Sequence, residues 1–169
     1  MAHELTHRSP LGYLLFAVPG YCENFFDLKH VEVSIMQDST QDRFLAIKVR
    51  MMPRETNPHG TIFGGVLLSY VDQAGAVGAE HEIRSQGWPV LPLVTVGMNS
   101  VEFHEPVYVG DVVSFWTKLV RVGRTSITMH VLVETVRDDR PVTLTEAEVS
   151  FVTVDRTDGK RRPVPVKGE

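Results

Sequence analysis

A single helical stretch, from about Gly64 to Arg84, limits the folds open to this chain more than any other feature. It is apolar on most sides, through Val66, Leu67, Leu68, Tyr70, Val71, Ala74, Ala76, Val77 and Ala79, and turns polar only at Glu80, His81, Glu82 and Arg84. A helix apolar nearly all round should be buried. The segments after it can supply the cover. Four stretches rich in Val, Thr, Ile and Phe occupy about 91–104, 111–122, 125–137 and 142–154. Pro106, Gly110-Asp111, Gly123 and Asp138-Asp139-Arg140-Pro141 carry turn chemistry between them. Ahead of the helix, Phe44, Ala46, Lys48 and Arg50 alternate with Leu45, Ile47, Val49 and Met51, as in a strand that Pro53 ends. One strand, one long buried helix and four more strands predict an α+β fold, an antiparallel sheet wrapped around a central helix.

At 169 residues and 43% hydrophobic, the chain can bury a core of its own. Residues 41–169 read as that domain, and residues 1–40 as an N-terminal extension without an assigned role. A net charge of −4 gives no general affinity for nucleic acid or an anionic membrane. The lone Cys22 forms no internal disulfide and fits a reducing compartment. Leu11 to Val18 is too short to span a bilayer, and no small-residue cleavage site follows it. A cytoplasmic protein is expected. Seven histidines without repeated ligand spacing, beside one cysteine, give no expectation of a metal site. No cofactor is expected either.

The chemistry gathers between Asn57 and Asp72. Asn57-Pro58 is turn chemistry, and an asparagine amide can also donate and accept at once beside a reacting group. Both roles stay open. Gly64 and Gly65 open the helix, although a helical glycine costs roughly 1 kcal/mol relative to alanine. They serve either close packing or a backbone N–H offered to an oxyanion at a positive helix end. Asp72 follows Gly65 by seven residues on the same helix face, and Leu68, Ser69, Gly75, Ala76 and Ala79 surround it. No Lys or Arg lies three or four residues away, so it has no intrahelical ion pair. An isolated acid near an oxyanion-binding helix start suits hydrolysis.

The motif Asn57-Pro58-x-Gly60-x-Ile62-Phe63-Gly64-Gly65, with Asp72-x-Ala74, resembles the signature of the YciA-type acyl-CoA thioesterases of the hotdog fold. Further blocks match in order. These are Val94-Thr95-Val96, Phe103-x-x-Pro106-Val107-x-Val109-Gly110-Asp111-Val112-Val113, Val122-Gly123-Arg124-Thr125-Ser126 and Phe151-Val152-x-Val154-Asp155. The resemblance implies hydrolysis of acyl-CoA to free acid and CoA, within fatty acid metabolism. It implies Asp72 as general base or nucleophile, Gly64 and Gly65 as oxyanion donors, and Asn57 acting from the opposite subunit. His59, Thr61 and Phe63 accompany them as substrate-binding candidates. Arg124, Thr125 and Ser126 would lie against the CoA nucleotide, and Lys160, Arg161 and Arg162 could extend that patch or form a solvated tail. Such sites lie between subunits, so a homodimer is implied, assembled as a hexamer, a trimer of dimers. The alternatives are a non-catalytic acyl-CoA-binding hotdog protein and a hotdog acyl-thioester dehydratase. The latter needs a histidine paired with an acid, and neither His59 nor His104 takes a convincing place for that.

Overall fold

The computed structural model describes residues 43–155 and 160–168. The N-terminal extension and Cys22 lie outside the described residues. Strand β1 (Phe44–Arg50) leads through a short 3-10 turn at Pro53–Glu55 into helix α1 (Gly64–Ser85). Strands β2 (Leu93–Phe103), β3 (Val112–Val122), β4 (Ser126–Arg137) and β5 (Arg140–Asp155) follow, and β6 (Arg162–Pro163) closes the described chain. The sheet order is β1-β3-β4-β5-β2, with β6 paired to β5, and every pairing is antiparallel. The predicted helix and strands all form, with bounds shifted by a few residues.

Alternation along each strand sorts the two faces of this sheet. Val113, Phe115 and Thr117 of β3, Ile127, Met129, Val131 and Val133 of β4, and Ala147, Val149 and Phe151 of β5 are buried. Leu67, Val71, Ala74, Ala79 and Ile83 of α1 join them in one core. Irregular register between Thr95 and Gly97, between Leu119 and Arg121, and between Val133 and Glu134 bends the strands. Such bulges increase local twist and curl the sheet about its helix. Among the described residues, however, the helix is not enclosed on every side. Val77 is 42% exposed, because the sheet covers only the stripe running through Val71, Ala74, Gly78 and Ile83. The Asp138-Asp139 turn has φ of 50° and 58°. Two successive positive φ values make the tight two-residue hairpin that joins β4 to β5.

Two glycines let α1 lie close to the sheet. A Cβ on Gly75 would stand 3.1 Å from Phe151 Cζ and 3.3 Å from Val149 Cβ. A Cβ on Gly78 would overlap Thr117, 2.6 Å from its Cβ. Thr117 is buried and its hydroxyl donates to the Phe44 carbonyl at 3.3 Å, so it has little room to move.

The basic C-terminal residues are more than a solvated tail. Their side chains are exposed, but the backbone is stitched to the domain. Asp155 pairs with Arg162, the Val164 N–H donates to the Thr153 carbonyl at 3.0 Å, and Val166 is fully buried. No helix among the described residues is long and apolar enough to cross a membrane.

The packing at Gly78 sets the first expectation. Alanine there gains about 1 kcal/mol in helix propensity, against roughly 1–3 kcal/mol for overpacking a rigid contact. The overlap with Thr117 decides the sign. Gly78→Ala should melt several degrees below wild type by calorimetry, whereas an unchanged or raised Tm would mean that α1 can lift from the sheet at no net cost.

Candidate active site

Asp72 lies on the face of α1 that looks toward β2. Its carboxylate Oδ1 accepts a hydrogen bond of 2.7 Å from the Thr95 hydroxyl. No intrahelical ion pair forms, as the spacing predicts, and Oδ2 accepts no hydrogen bond among the described residues. Thr95 has a defined reason to face the helix. It is paired in register with Phe151, whose side chain points into the core against Gly75. Gly75 is three residues beyond Asp72, so the contact that lowers the helix onto Phe151 also brings the acid within reach of the threonine. Sequence reasoning did not single out Thr95 as a site residue. The only signal was its place in the Val94-Thr95-Val96 block.

The helix start is open. Phe63 takes the N-cap position without a side-chain cap, and the Phe63 carbonyl accepts the Val66 N–H at 2.9 Å. The first N–H groups of a helix have no intrahelical acceptor, so those of Gly64 and Gly65 are directed outward. A Cβ on Gly65 would meet only the Phe63 ring, which is itself 59% exposed. A Cβ on Gly64 would touch Phe103 at 3.4 Å. Core packing therefore does not dictate glycine at 65. Exposure of this backbone is the feature that a donor role requires.

Asn57 closes its own turn. Its Oδ1 accepts the backbone N–H groups of His59 at 2.9 Å and Thr61 at 3.2 Å, and its Nδ2 donates to Thr61 Oγ1 at 2.8 Å. The Asn57 N–H donates in turn to the Thr61 carbonyl at 2.8 Å. The turn role is thus realised in full, and one Nδ2 proton remains unused by the turn. His59 is exposed and joins the turn through its backbone. Among the described residues, Asn57 and Asp72 share no hydrogen bond.

Arg124, Thr125 and Ser126 turn the chain from β3 into β4, and Arg124 is exposed. Its carbonyl accepts the Val166 N–H at 2.9 Å, and the Thr125 carbonyl accepts the Thr153 N–H at 3.0 Å. An open cavity of about 400 Å³ is lined by Val122, Gly123, Arg124, Pro165, Lys167 and Gly168. The C-terminal segment thereby adds a second cation, Lys167, beside Arg124. Val152 of β5 pairs with Val94 on one side and Ser126 on the other. The Arg124 turn and Thr95 therefore lie at the same end of the sheet, two strand spacings or roughly 10 Å apart. Another cavity of about 400 Å³ is lined by Thr95, Leu93, Val154 and Arg161.

His104 is turned away from this site. Its Nε2 donates to Glu146 Oε1 at 2.9 Å, and Glu146 lies between the buried Thr145 and Ala147, hence on the opposite face of the sheet from α1. That hydrogen bond is the largest influence holding the Glu146 carboxyl below the usual carboxylate range, with burial opposing it and His130 adding to it.

The turn makes a local prediction. In Asn57→Ala the amides of His59 and Thr61 lose their acceptor, and water can replace it because both residues are accessible. Hydrogen exchange at these two amides should quicken markedly, while global stability falls by only about 1 kcal/mol. Unchanged exchange at both amides would contradict the bonding described.

Comparison with known proteins gives one consistent answer. The family model described as "Thioesterase superfamily" matches residues 59–152. The acyl-CoA thioester hydrolase YciA of Salmonella typhimurium is 37% identical over 136 residues, covering 78% of this chain and 97% of that protein. YciA of Escherichia coli is 34% identical over 73% of this chain and 92% of its own length. Among solved structures, a hexameric hotdog-fold thioesterase of Campylobacter jejuni matches with a TM-score of 0.60 and 39% identity, covering 71% of this chain and 89% of that one. A hexameric thioesterase from Yersinia pestis matches with a TM-score of 0.62 and 34% identity, over 72% and 95% of the two chains. With the antiparallel sheet around α1 already described, these matches show that the chain belongs to the thioesterase superfamily, among the YciA-type acyl-CoA thioester hydrolases of the hotdog fold.

Proposed function

We propose that the protein hydrolyses acyl-CoA thioesters to a free acid and CoA, with Asp72 as general base on water or as nucleophile. The observation that carries this reading is the Asp72 carboxylate, anchored through one oxygen by Thr95 and, among the described residues, unpaired at the other. An anchored acid with a free oxygen can accept a proton from water or attack a carbonyl carbon without first losing another partner. As base, it takes a water proton while the water oxygen bonds to the thioester carbon. The C–S bond then breaks, and the thiolate leaves and is protonated.

Gly64 and Gly65 receive the negative charge that develops on the carbonyl oxygen. One such donor is typically worth a few kcal/mol of barrier. Gly65 and Asp72 are about 10 Å apart along the helix axis. The span from carboxylate through water and carbonyl to an N–H consumes about 3 Å per hydrogen bond. Asn57 acts from the opposite subunit, where its spare Nδ2 proton orients the water or the thioester. Its commitment to its own turn supports this, since the turn holds the amide rigid. His59, Thr61 and Phe63 border the acyl group, and Arg124, with Thr125 and Ser126, contacts the CoA phosphates beside Lys167. We infer a homodimer assembled into a hexamer, supported by the hexameric state of the Campylobacter and Yersinia proteins. A cytoplasmic location is supported by the single cysteine. A dehydratase is disfavoured because no histidine bonds to Asp72 among the described residues.

Two tests follow from these assignments. Asp72→Asn should remain a folded oligomer and lose about 100-fold or more in kcat/KM on acyl-CoA. Mixing inactive Asp72→Ala with inactive Asn57→Ala subunits should restore part of the activity, because one interface then holds both intact residues. Near wild-type turnover in Asp72→Asn would remove the acid from the reaction, and no recovery despite proven subunit exchange would refute the shared site.

Arg124→Ala should raise KM for acyl-CoA far more than for a short thioester lacking the nucleotide. The effect should shrink at high salt, where an exposed phosphate contact is screened. Equal losses on both substrates would assign Arg124 to the fold instead.

A further inference from the structure

On the face of the sheet turned away from α1, three strands bring two carboxylates and two imidazoles together. Glu102 of β2 is paired directly with Glu146 of β5. His104 follows just beyond the end of β2, and its Nε2 lies 2.9 Å from Glu146 Oε1 and 4.0 Å from Glu102 Oε2. His130 of β4 places its Nε2 3.1 Å from Glu146 Oε2, so this one carboxylate stands between two imidazoles. One donor atom each from Glu102, His104 and Glu146 falls within 4.8 Å of the other two.

Like charges directly opposite each other on neighbouring strands are destabilising. Here Glu102 and Glu146 are such a pair, and Glu148 follows on the same face of β5. The positions call for positive charge, yet no Lys or Arg bonds to Glu102 or Glu146 among the described residues. Histidine answers that need only in part. We propose that Glu102, His104 and Glu146 form a binding site for a divalent transition cation of the Zn²⁺ class, with His130 as the residue that orients Glu146.

The donor set matches that class. Imidazole nitrogen with carboxylate oxygen suits zinc and its first-row neighbours, whereas calcium and magnesium take oxygen alone. Bonds of about 2.0–2.2 Å to each ligand separate the ligand atoms by roughly 3–4 Å, close to the spacings already present. Binding exchanges the His104 Nε2 proton for the metal and needs only small side-chain rotations. The Glu102 side chain, 64% exposed, is free to make them. The hydrogen bond from His130 then fixes the second oxygen of Glu146, as outer partners of metal ligands commonly do. The ligands come from β2 and β5, with His130 from β4, so the site is independent of Asp72 and of the thioesterase reading.

The full-length protein, stripped with a chelator, would be titrated with Zn²⁺ by calorimetry and with Co²⁺ by visible absorption. Wild type should bind one equivalent per chain at this site and melt at a higher temperature with Zn²⁺ present. His104→Ala and Glu146→Gln should each weaken that equivalent by at least about 10-fold, and His130→Ala by a smaller factor. Asp72→Asn and His59→Ala should leave it unchanged. Should Glu146→Gln misfold, the exposed Glu102→Gln gives the same comparison. Equal affinity and stoichiometry in wild type, His104→Ala and Glu102→Gln would overturn the proposal.

Discussion

The close approach of α1 to β5 and β3 is the contact on which the remaining geometry depends. It exists because Gly75 and Gly78 present no side chain to Phe151 and Thr117. Two helical glycines give up roughly 2 kcal/mol of propensity relative to alanine. The burial of Val71, Ala74, Ala79 and Ile83 against the sheet offsets this, since a fully buried branched aliphatic side chain contributes about 1.5–3 kcal/mol. What the glycines supply beyond stability is proximity. With Phe151 resting on Gly75 and Thr95 paired to Phe151, the side chain of Asp72 reaches the threonine hydroxyl directly. Packing and candidate chemistry thus share one contact.

The electrostatic character of the site follows from what that helix face lacks. An acid with a neighbouring arginine would be stabilised and occupied at once, and would be a poor base. Among the described residues, Asp72 instead has a single neutral hydroxyl as hydrogen-bond partner. This holds its orientation while leaving an oxygen available. Asn57 shows the complementary arrangement. Its turn consumes both lone-pair directions of Oδ1 and one amide proton, so the remaining proton points in a direction set by the backbone.

Much of this was legible in the sequence, for reasons that can be traced to particular residues. The helix from Gly64 and the strands after it were written in periodicity and turn residues, which are local properties. Asp72 stood out because its helix neighbours are small and uncharged, again a local fact. Thr95 was hidden because its meaning depends on register. Only the pairing with Phe151 turns it toward the helix, and the irregularity between Thr95 and Gly97 makes that register unreadable from alternation alone. The same limit concealed the cluster at Glu102, His104, His130 and Glu146. Its members come from separate strands, so a search for ligand spacing along the chain could not find it. The anchoring of the C-terminal backbone was hidden for a simpler reason. Lys160, Arg161 and Arg162 have the composition of a solvated tail, but the buried Val166 and the carbonyls of Thr153 and Arg124 hold the backbone that follows them.

In the proposed reaction, strand β5 also links binding to chemistry. Its inward residues seal the core and seat Thr95, while Val152 pairs with Ser126 on one side and Val94 on the other. The separation between the Arg124 turn and the Asp72–Thr95 pair is therefore set by two hydrogen-bonded strand spacings rather than by a loop. Binding energy gained from a remote part of a substrate accelerates a reaction only when the connection is stiff enough to hold the reacting group in place. A ladder of backbone hydrogen bonds, pinned at its end by the C-terminal segment through Thr153 and Val166, provides that stiffness. In the proposed reaction, the nucleotide held at Arg124 and Lys167 thus positions the thioester at Asp72 through β5 itself.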